Sequence, residues 1–305
     1  MGKRESNKSL SIHDVALKAG VSIATVSRVI NGKDRVAPET RQRVEEAMRV
    51  LDFRPNRSAR ALGLRKTNTI GLVLPDFSGD FFGELMQGVD TAARESGINL
   101  MVIRAVDAEE EMQVIEEFLG SGAVDGLIFM ISQLDDRAIH SIARHRDTLL
   151  VIDRDVGDEG IDNVLVDNRS GGYDATAHLL NDCQATHLAF IGGPETNVDT
   201  RDRYLGFCDA AREAGMKVPT SAVFYTDYSY DEGTDVANEI APRIRSSKGR
   251  WGIVSANDSL ARGVVDGLLD LGIAIPDQAA VVGYDDSTLA RLTRPKLSSV
   301  RIPLR

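Results

Sequence analysis

Residues 12–31 read IHDVALKAGVSIATVSRVIN, and the spacing of their apolar side chains decides how the fold begins. Ile12, Val15, Ala16 and Ala19 stand at i, i+3, i+4 and i+7, the period of a helix with one buried face. Ser11 is placed to cap that helix, and Gly20 permits the tight turn that ends it. Ser22 can cap a second helix whose inner face is Val26, Val29 and Ile30, and Asn31-Gly32 closes it. A third helix starts near Pro38, a good first-turn residue, and buries Val44, Ala47, Met48 and Leu51. Periodicity alone is equally compatible with a generic three-helix bundle. The outer face of the second helix separates the two readings: Ser22, Ile23, Ala24, Thr25, Ser27, Arg28 and Asn31 are small or hydrogen-bonding, where a solvated helix would carry Lys and Glu. Arg28 can pair bidentately with a guanine edge, and the Ser, Thr and Asn side chains reach phosphates or bases.

Charge supports that division of the chain. Of 305 residues, the first 66 carry 15 Lys and Arg against 7 Asp and Glu, leaving 21 against 39 for the rest, so a head of net +8 sits on a body of net −18. Such asymmetry suits a module that faces phosphates joined to a domain with another task. Hydrophobic residues at 42% and charged residues at 27% are ordinary for folded domains. Cys183 and Cys208 are the only cysteines and show no CxxC or His spacing, so neither a disulfide framework, a metal site nor a cofactor is indicated. No apolar run approaches the roughly 18 residues that span a bilayer, and the polar start MGKRESNKSL has no secretory core. A cytoplasmic protein without membrane contact is expected.

After residue 69 the pattern changes to short apolar runs alternating with amphipathic stretches. TIGLVLP (69–75), INLMVIR (98–104), DGLIFMI (125–131) and TLLVID (148–153) read as buried strands of a parallel sheet covered on both faces. The rhythm restarts after NVLVD (163–167), with HLAFIG (187–192), AVFY (222–225), WGIVSA (251–256) and AAVVGYDD (279–286), so two lobes are predicted. SSVRIP (298–303), set apart by RLTRPKL, is expected to return to the first lobe. The predicted organisation is a helix-turn-helix domain over 1–54, a hinge and linker over 55–66, and an effector-binding and dimerisation domain over 67–305. In that last domain, lobe one covers about 67–161 plus 297–305 and lobe two about 162–296. Open parallel sheets bind ligands beyond the carboxyl ends of their strands, which favours a cleft between the lobes. Asp76, Phe77, Phe81 and Phe82 follow the first strand, Asp153-Arg154 ends TLLVID, Asn257-Asp258 follows WGIVSA, and Asp285-Asp286 closes AAVVGY. Each alone reads more readily as a solvated loop or a helix cap. Together, a carboxylate and arginine set beside aromatic rings is what a polyol requires.

IHDVALKAGVSIATVSRVIN, followed by RVAPETRQRVEEAMRVLDFRPNRSARAL (35–62), closely resembles the lactose/galactose repressor family (LacI/GalR type). DNRSGGYDATAHLL, RYLGF, ANDSLARG and VVGYDD carry the resemblance through residues 69–303 and, more distantly, to periplasmic sugar-binding proteins. The resemblance implies an all-α helix-turn-helix head plus an α/β two-lobed, periplasmic-binding-protein-like domain with parallel sheets. It places Ile23, Ala24 and Arg28 where the family touches bases; the first two suit thymine methyls or close-packed base edges, and hydrogen-bonded readout falls to Arg28. By composition RSARALGL (57–64) is a basic linker barely two turns long. In relatives this segment folds on DNA, which gives Asn56 a capping role, turns Ala59 to the partner helix and makes Leu62 a minor-groove wedge. By the same match Asp153, Arg203, Asn257 and Asp285 are the expected effector contacts, Phe81 and Phe82 candidate stacking residues, and Arg201 a weaker candidate. Two departures stand out: Ala37 replaces the usual Ser cap of the third helix, and the family's last helix and closing strand lie beyond Arg305.

The resemblance implies a sequence-specific transcriptional regulator, a repressor of sugar-utilisation genes whose affinity for a pseudo-palindromic double-stranded operator is controlled by a small sugar or sugar-derived effector. A homodimer is expected because one small head contacts few base pairs. Without a heptad tail, no tetramer of the family type is expected. A family member controlled by a protein coregulator, or an activator, is the alternative. Catalysis finds little support: GSGAVDG (120–126) has the wrong glycine spacing for a dinucleotide fingerprint and precedes its strand. His13, His140, His145, His178 and His187 form no visible constellation. No catalytic residue is assigned.

Overall fold

The computed structural model describes residues 10–32, 36–53, 66–76, 79–130, 137–138, 140, 148–157 and 160–304. The chain divides into two compact units, Met1–Thr67 and Asn68–Arg305. Asn56, Ala59 and Leu62 lie outside the described residues.

In the first unit, α1 (Ile12–Ala19), α2 (Ile23–Ile30) and α3 (Pro38–Val50) surround a core of Val15, Ala16, Ala19, Val26, Val29, Val44 and Ala47. Ile12, Ile30, Met48 and Leu51 pack around it. A buried valine contributes about 1.5–3 kcal/mol, so the four valines hold much of this head together. Asp14 completes the start of α1, its carboxylate accepting from both the amide and the hydroxyl of Ser11 at 2.8 Å. Gly20 at φ 65° ends the helix. At α3 the N-cap is Ala37, with no side-chain cap and Pro38 beside it. Ala37→Ser is therefore expected to stabilise the head by about 1 kcal/mol, seen as a higher melting temperature of its helical circular dichroism signal; no change would mean that Pro38 already suffices.

The second unit holds two five-stranded parallel sheets. The first has the order β2-β1-β3-β4-β5, from β1 (Thr69–Leu74), β2 (Asn99–Arg104), β3 (Gly126–Met130), β4 (Leu149–Ile152) and β5 (Asp162–Val164). The second has the order β10-β9-β8-β6-β7, from β6 (Ala185–Gly192), β7 (Val223–Tyr225), β8 (Arg250–Ser255), β9 (Ala279–Asp285) and β10 (Ser298–Arg301). Parallel neighbours need crossovers. These are supplied by α4 (Asp80–Glu95) and α5 (Ala108–Ser121) in the first lobe. In the second they are α7 (Val198–Glu213), α8 (Tyr230–Ser246), α9 (Asp258–Asp270) and the short α10 (Thr288–Leu292), while α6 (Asn168–Asn181) leads from β5 of the first sheet into β6. Central runs such as Leu72-Val73-Leu74 are buried on both faces, which explains why they carry no alternation.

Two lobe assignments require correction. The strand within NVLVD pairs with β4, Ile152 opposite Val164, so the first lobe extends past residue 161. As an edge strand it leaves Val164 and Leu165 half exposed, and its apolar letters resemble those of a buried strand. The strand within SSVRIP pairs with β9, Ser299 opposite Gly283, and so belongs to the second lobe. RLTRPKL folds back on its own sheet: Thr293 is buried, and the Leu297 amide donates to the Ala290 carbonyl at 3.2 Å. After β10 the chain meets the first lobe at Leu304, which packs with Leu72 and Leu74.

One close approach sets the site. A Cβ on Gly206 of α7 would lie 1.9 Å from the Arg169 carbonyl oxygen, and one on Gly172 of α6 would lie 2.1 Å from that of Arg203. The helices therefore cross backbone to backbone, which brings Arg203 against the start of α6.

Candidate functional site

On the head, α2 turns Val26 and Val29 inward and leaves Ser22, Ile23, Ala24 and Arg28 exposed, with Thr25, Ser27 and Asn31 half-buried beside them. The Thr25 amide donates to the Ser22 hydroxyl at 3.2 Å, and the Asn31 side-chain amide donates to Ser27 Oγ at 3.3 Å. These bonds fix the polar side chains around Arg28. Ile23 is 38% exposed although it begins a helix of an apolar-cored bundle, a placement with no use in a free head and a use against a methyl-bearing groove.

In the second unit the polar groups gather at the carboxyl ends of the strands, around Arg203 on α7. Its guanidinium is buried, donates from Nε to Asn168 Oδ1 at 2.8 Å and from Nη1 to the Ala256 carbonyl, and lies 3.9 Å above the centre of the Tyr284 ring. Asn168 in turn donates to Asp199 Oδ1 at 2.9 Å. Gly171 lets Tyr284 press against α6, since a Cβ there would fall 2.0 Å from the tyrosine oxygen. Tyr228 completes this wall, sharing a 2.7 Å hydrogen bond with Thr200 and donating to Asn197 Oδ1 at 3.1 Å.

Asp153 comes from the first lobe, at the end of β4, yet its charge interacts with Asp199, Arg203 and Asp285 of the second. Burial pushes its carboxyl up to about 7, with Asp199 adding and Arg203 opposing. Asp285, at the end of β9, is pushed up to about 8 by burial, while Arg203 opposes and Asp258, Asp199 and Asp153 add. Burial also raises Asp199, against Arg203. Arg203 is disfavoured by burial and held charged chiefly by Asp285. One Asp153 oxygen is buried without a hydrogen-bond partner. Asp153, Tyr228 and Asp285 also hold positive φ of 60°, 70° and 100°, a conformation that costs non-glycine residues on the order of 1–3 kcal/mol and collects at ligand sites.

The structure thus brings Asp153, Arg203 and Asp285 together. Asn257 stands close by as the cap of α9: its Oδ1 accepts from the Leu260 amide at 2.8 Å, and its Nδ2 donates to the Tyr228 carbonyl at 3.2 Å. Phe81 and Phe82 open α4 in an edge-to-face pair 5.4 Å apart, leaning on Leu72, Leu74 and Leu85. Arg201 is exposed and pairs with its neighbour Asp202, at 3.5 Å. Sequence reasoning missed Asn168, Asp199, Tyr228 and Tyr284. Asn168 and Tyr284 sit inside phrases already quoted, DNRSGG and GYDD, whereas Asp199 and Tyr228 carry no local signal. Asp258 is a structural bracket, accepting from the Ser287 amide at 2.7 Å and the Ser299 hydroxyl at 2.6 Å. The lobes are also tied directly: the Leu289 amide donates to Asp80 Oδ2 at 3.0 Å, and Thr288 Oγ1 to Glu84 Oε1 at 3.3 Å. Among the described residues no group of three or more His, Cys, Asp or Glu is disposed to hold a metal, and no helix is long and apolar enough to cross a membrane.

Comparison with known proteins joins both halves. Residues 11–56 match the family described as bacterial regulatory proteins, lacI family, and residues 67–301 match the periplasmic binding proteins and sugar binding domain of the LacI family. The HTH-type transcriptional regulator RegA of Clostridium saccharobutylicum is 35% identical over 96% of this chain and 87% of its own length. The solved complex of the transcriptional regulator CelR with cellobiose is 30% identical, with a TM-score of 0.68 over 97% of this chain and 88% of that one. A lac repressor dimer bound to operator and the anti-inducer ONPF, 24% identical, shares the fold with a TM-score of 0.86 over 97% of this chain and 88% of that one. A three-helix head with a readable outer face, two parallel lobes and these near full-length matches place the chain in the lacI family of bacterial regulatory proteins, as a DNA-binding transcriptional regulator that carries the family's sugar-binding domain.

Proposed function

We propose that this regulator is a cytoplasmic repressor of sugar-utilisation genes, acting as a homodimer on a pseudo-palindromic operator and controlled by a small sugar-like effector held between the lobes. The reading rests above all on Asp153 of one lobe facing Arg203, Asp199 and Asp285 of the other across the strand ends, because hydroxyls bridging these groups would tie the lobes together. Asn257 lies at the edge of that set, and Phe81 and Phe82 supply aromatic faces for a sugar ring. The binding of cellobiose by the relative CelR supports a sugar as the ligand class. By the family resemblance, a change in lobe spacing would be relayed to the DNA through the segment 55–66, of which residues 55–65 lie outside the described residues.

Selection of duplexes from a random pool by the full-length protein tests the DNA half of this reading. A palindrome should emerge, its affinity falling steeply with salt. Arg28→Ala should weaken binding roughly 10- to 100-fold by removing one bidentate base contact per head. Failure to retain any palindrome above scrambled competitor, with or without sugars, would end the proposal.

A further inference from the structure

A second group of chemically competent side chains closes α6, away from the polar cluster at the strand ends. The amides of Asp182 and Cys183 both donate to the His178 carbonyl, at 2.9 and 3.1 Å, and Gln184, at φ 55°, turns the chain from there into β6. One helical turn therefore holds three side chains in a row. The histidines form no constellation among themselves, but His178 acquires partners of other kinds: its Nδ1 lies 2.8 Å from Asp182 Oδ2, and its Nε2 lies 3.6 Å from Cys183 Sγ. A carboxylate can only accept, so Asp182 places the ring hydrogen on Nδ1 and leaves the Nε2 lone pair facing the thiol. A nucleophile beside a base that a third group orients is the arrangement that activates thiols. Burial raises the Cys183 thiol above its ordinary value, against the Arg250 cation, whose Nη1 donates to the Cys183 carbonyl at 2.5 Å. The resting thiol thus keeps its proton, and its reaction requires a base in contact with it.

We infer that Cys183, His178 and Asp182 form a peroxide-reactive thiol site, at which Cys183 is oxidised to a sulfenic acid with His178 as general base and Asp182 as its positioning residue. The Cys183 sulfur attacks one oxygen of a hydroperoxide, and the S–O bond forms as the O–O bond breaks. Sulfur gives up two electrons and the peroxide is reduced. The thiol proton passes through Nε2 to the departing oxygen, which leaves as water or an alcohol. Cys208 supplies a contrast within the chain. Both thiols are free and half-buried, but Cys208 on α7 meets the Tyr204 hydroxyl, a phenol pushed up to about 12 by burial and no base at neutral pH. The 14 residues of α6 also set Cys183 about 20 Å from Asn168, which holds Arg203. The thiol chemistry is therefore independent of what the lobes bind.

The test treats the full-length protein with a small excess of hydrogen peroxide at neutral pH in the presence of dimedone, which traps sulfenic acids. Peptide mass spectrometry follows the adduct at each cysteine in time. Cys183 should be trapped about 10-fold or more faster than Cys208, and His178→Gln should remove most of that advantage. The same substitution should leave the Cys208 rate and the unfolding midpoint read by Trp251 fluorescence unchanged. A Cys208 rate that rises in the variant would mark unfolding, and the comparison then rests on Asp182→Ala, which keeps the imidazole but frees it to turn and should slow Cys183 alone. Equal rates at the two cysteines of the unsubstituted protein, or a Cys183 rate indifferent to both substitutions, would overturn the inference.

Discussion

Arg203→Met is expected to destabilise the effector-binding unit by about 3–5 kcal/mol at pH 8, the cost of removing one partner from a buried charge cluster. The substitution preserves volume but deletes the donors to Asn168 and the Ala256 carbonyl, the cation over Tyr284, and the positive charge that opposes the raised carboxyls of Asp153, Asp199 and Asp285. Trp251, the single tryptophan of the chain, is buried in β8 of the same lobe, so its fluorescence during urea unfolding reports the loss directly. The penalty should shrink at pH 5, where the carboxylates can hold protons. A loss under about 1 kcal/mol at pH 8 would show that the guanidinium is not what keeps those carboxylates in place. Binding of any sugar should disappear in this variant, whereas the operator-reading helix, which belongs to the other unit, keeps its fold.

The second large effect is a fall in stability as pH rises. Asp285 is held at about 8 and Asp153 at about 7, both above the ordinary carboxylate value of 3.8. Between roughly pH 4 and pH 8 the unfolded chain has released these protons and the folded chain retains them, so raising the pH favours unfolding. Stability from these groups is fully present below pH 4 and gone above about 8, amounting to a few kcal/mol across the window. Unfolding midpoints followed by Trp251 should therefore decline from pH 5 to pH 8.5, and Asp285→Asn should flatten the decline. A profile that is level or rising over that range would contradict the burial of these carboxylates.

The head was legible almost residue by residue. Its three helices are short, each is bounded by a local signal such as Ser22 or Pro38 at a start and Gly20 at an end, and its core positions recur at helical spacing. Asp14 escaped because a carboxylate at the third position reciprocates Ser11 only once the turn has formed. In the larger unit nine of the ten strands are legible as apolar runs; the short edge strand within NVLVD is not, and its residues and those of SSVRIP belong to the opposite lobe from the one expected. Strand identity is a local property, written in side chains along a few residues; sheet membership depends on which edge is open. Nothing in DNV or SSVR distinguishes the free edge beside β4 from the one beside β9.

The same division runs through the site. Arg203 and Asp285 were recoverable because they lie in phrases with family spacing. Asp199, Asn168 and Tyr228 gained meaning only when α6 and α7 crossed at Gly172 and Gly206 and the loop before α8 folded over Gly193. By itself the sequence determined the helices, the strands, the basic head and the family, since each follows from periodicity, charge or motif over neighbouring residues. Only the tertiary structure decided that three carboxylates from two lobes share one arginine, because desolvation and Coulomb interaction depend on separation in space, and the chain places Asp153 and Asp285 more than a hundred residues apart.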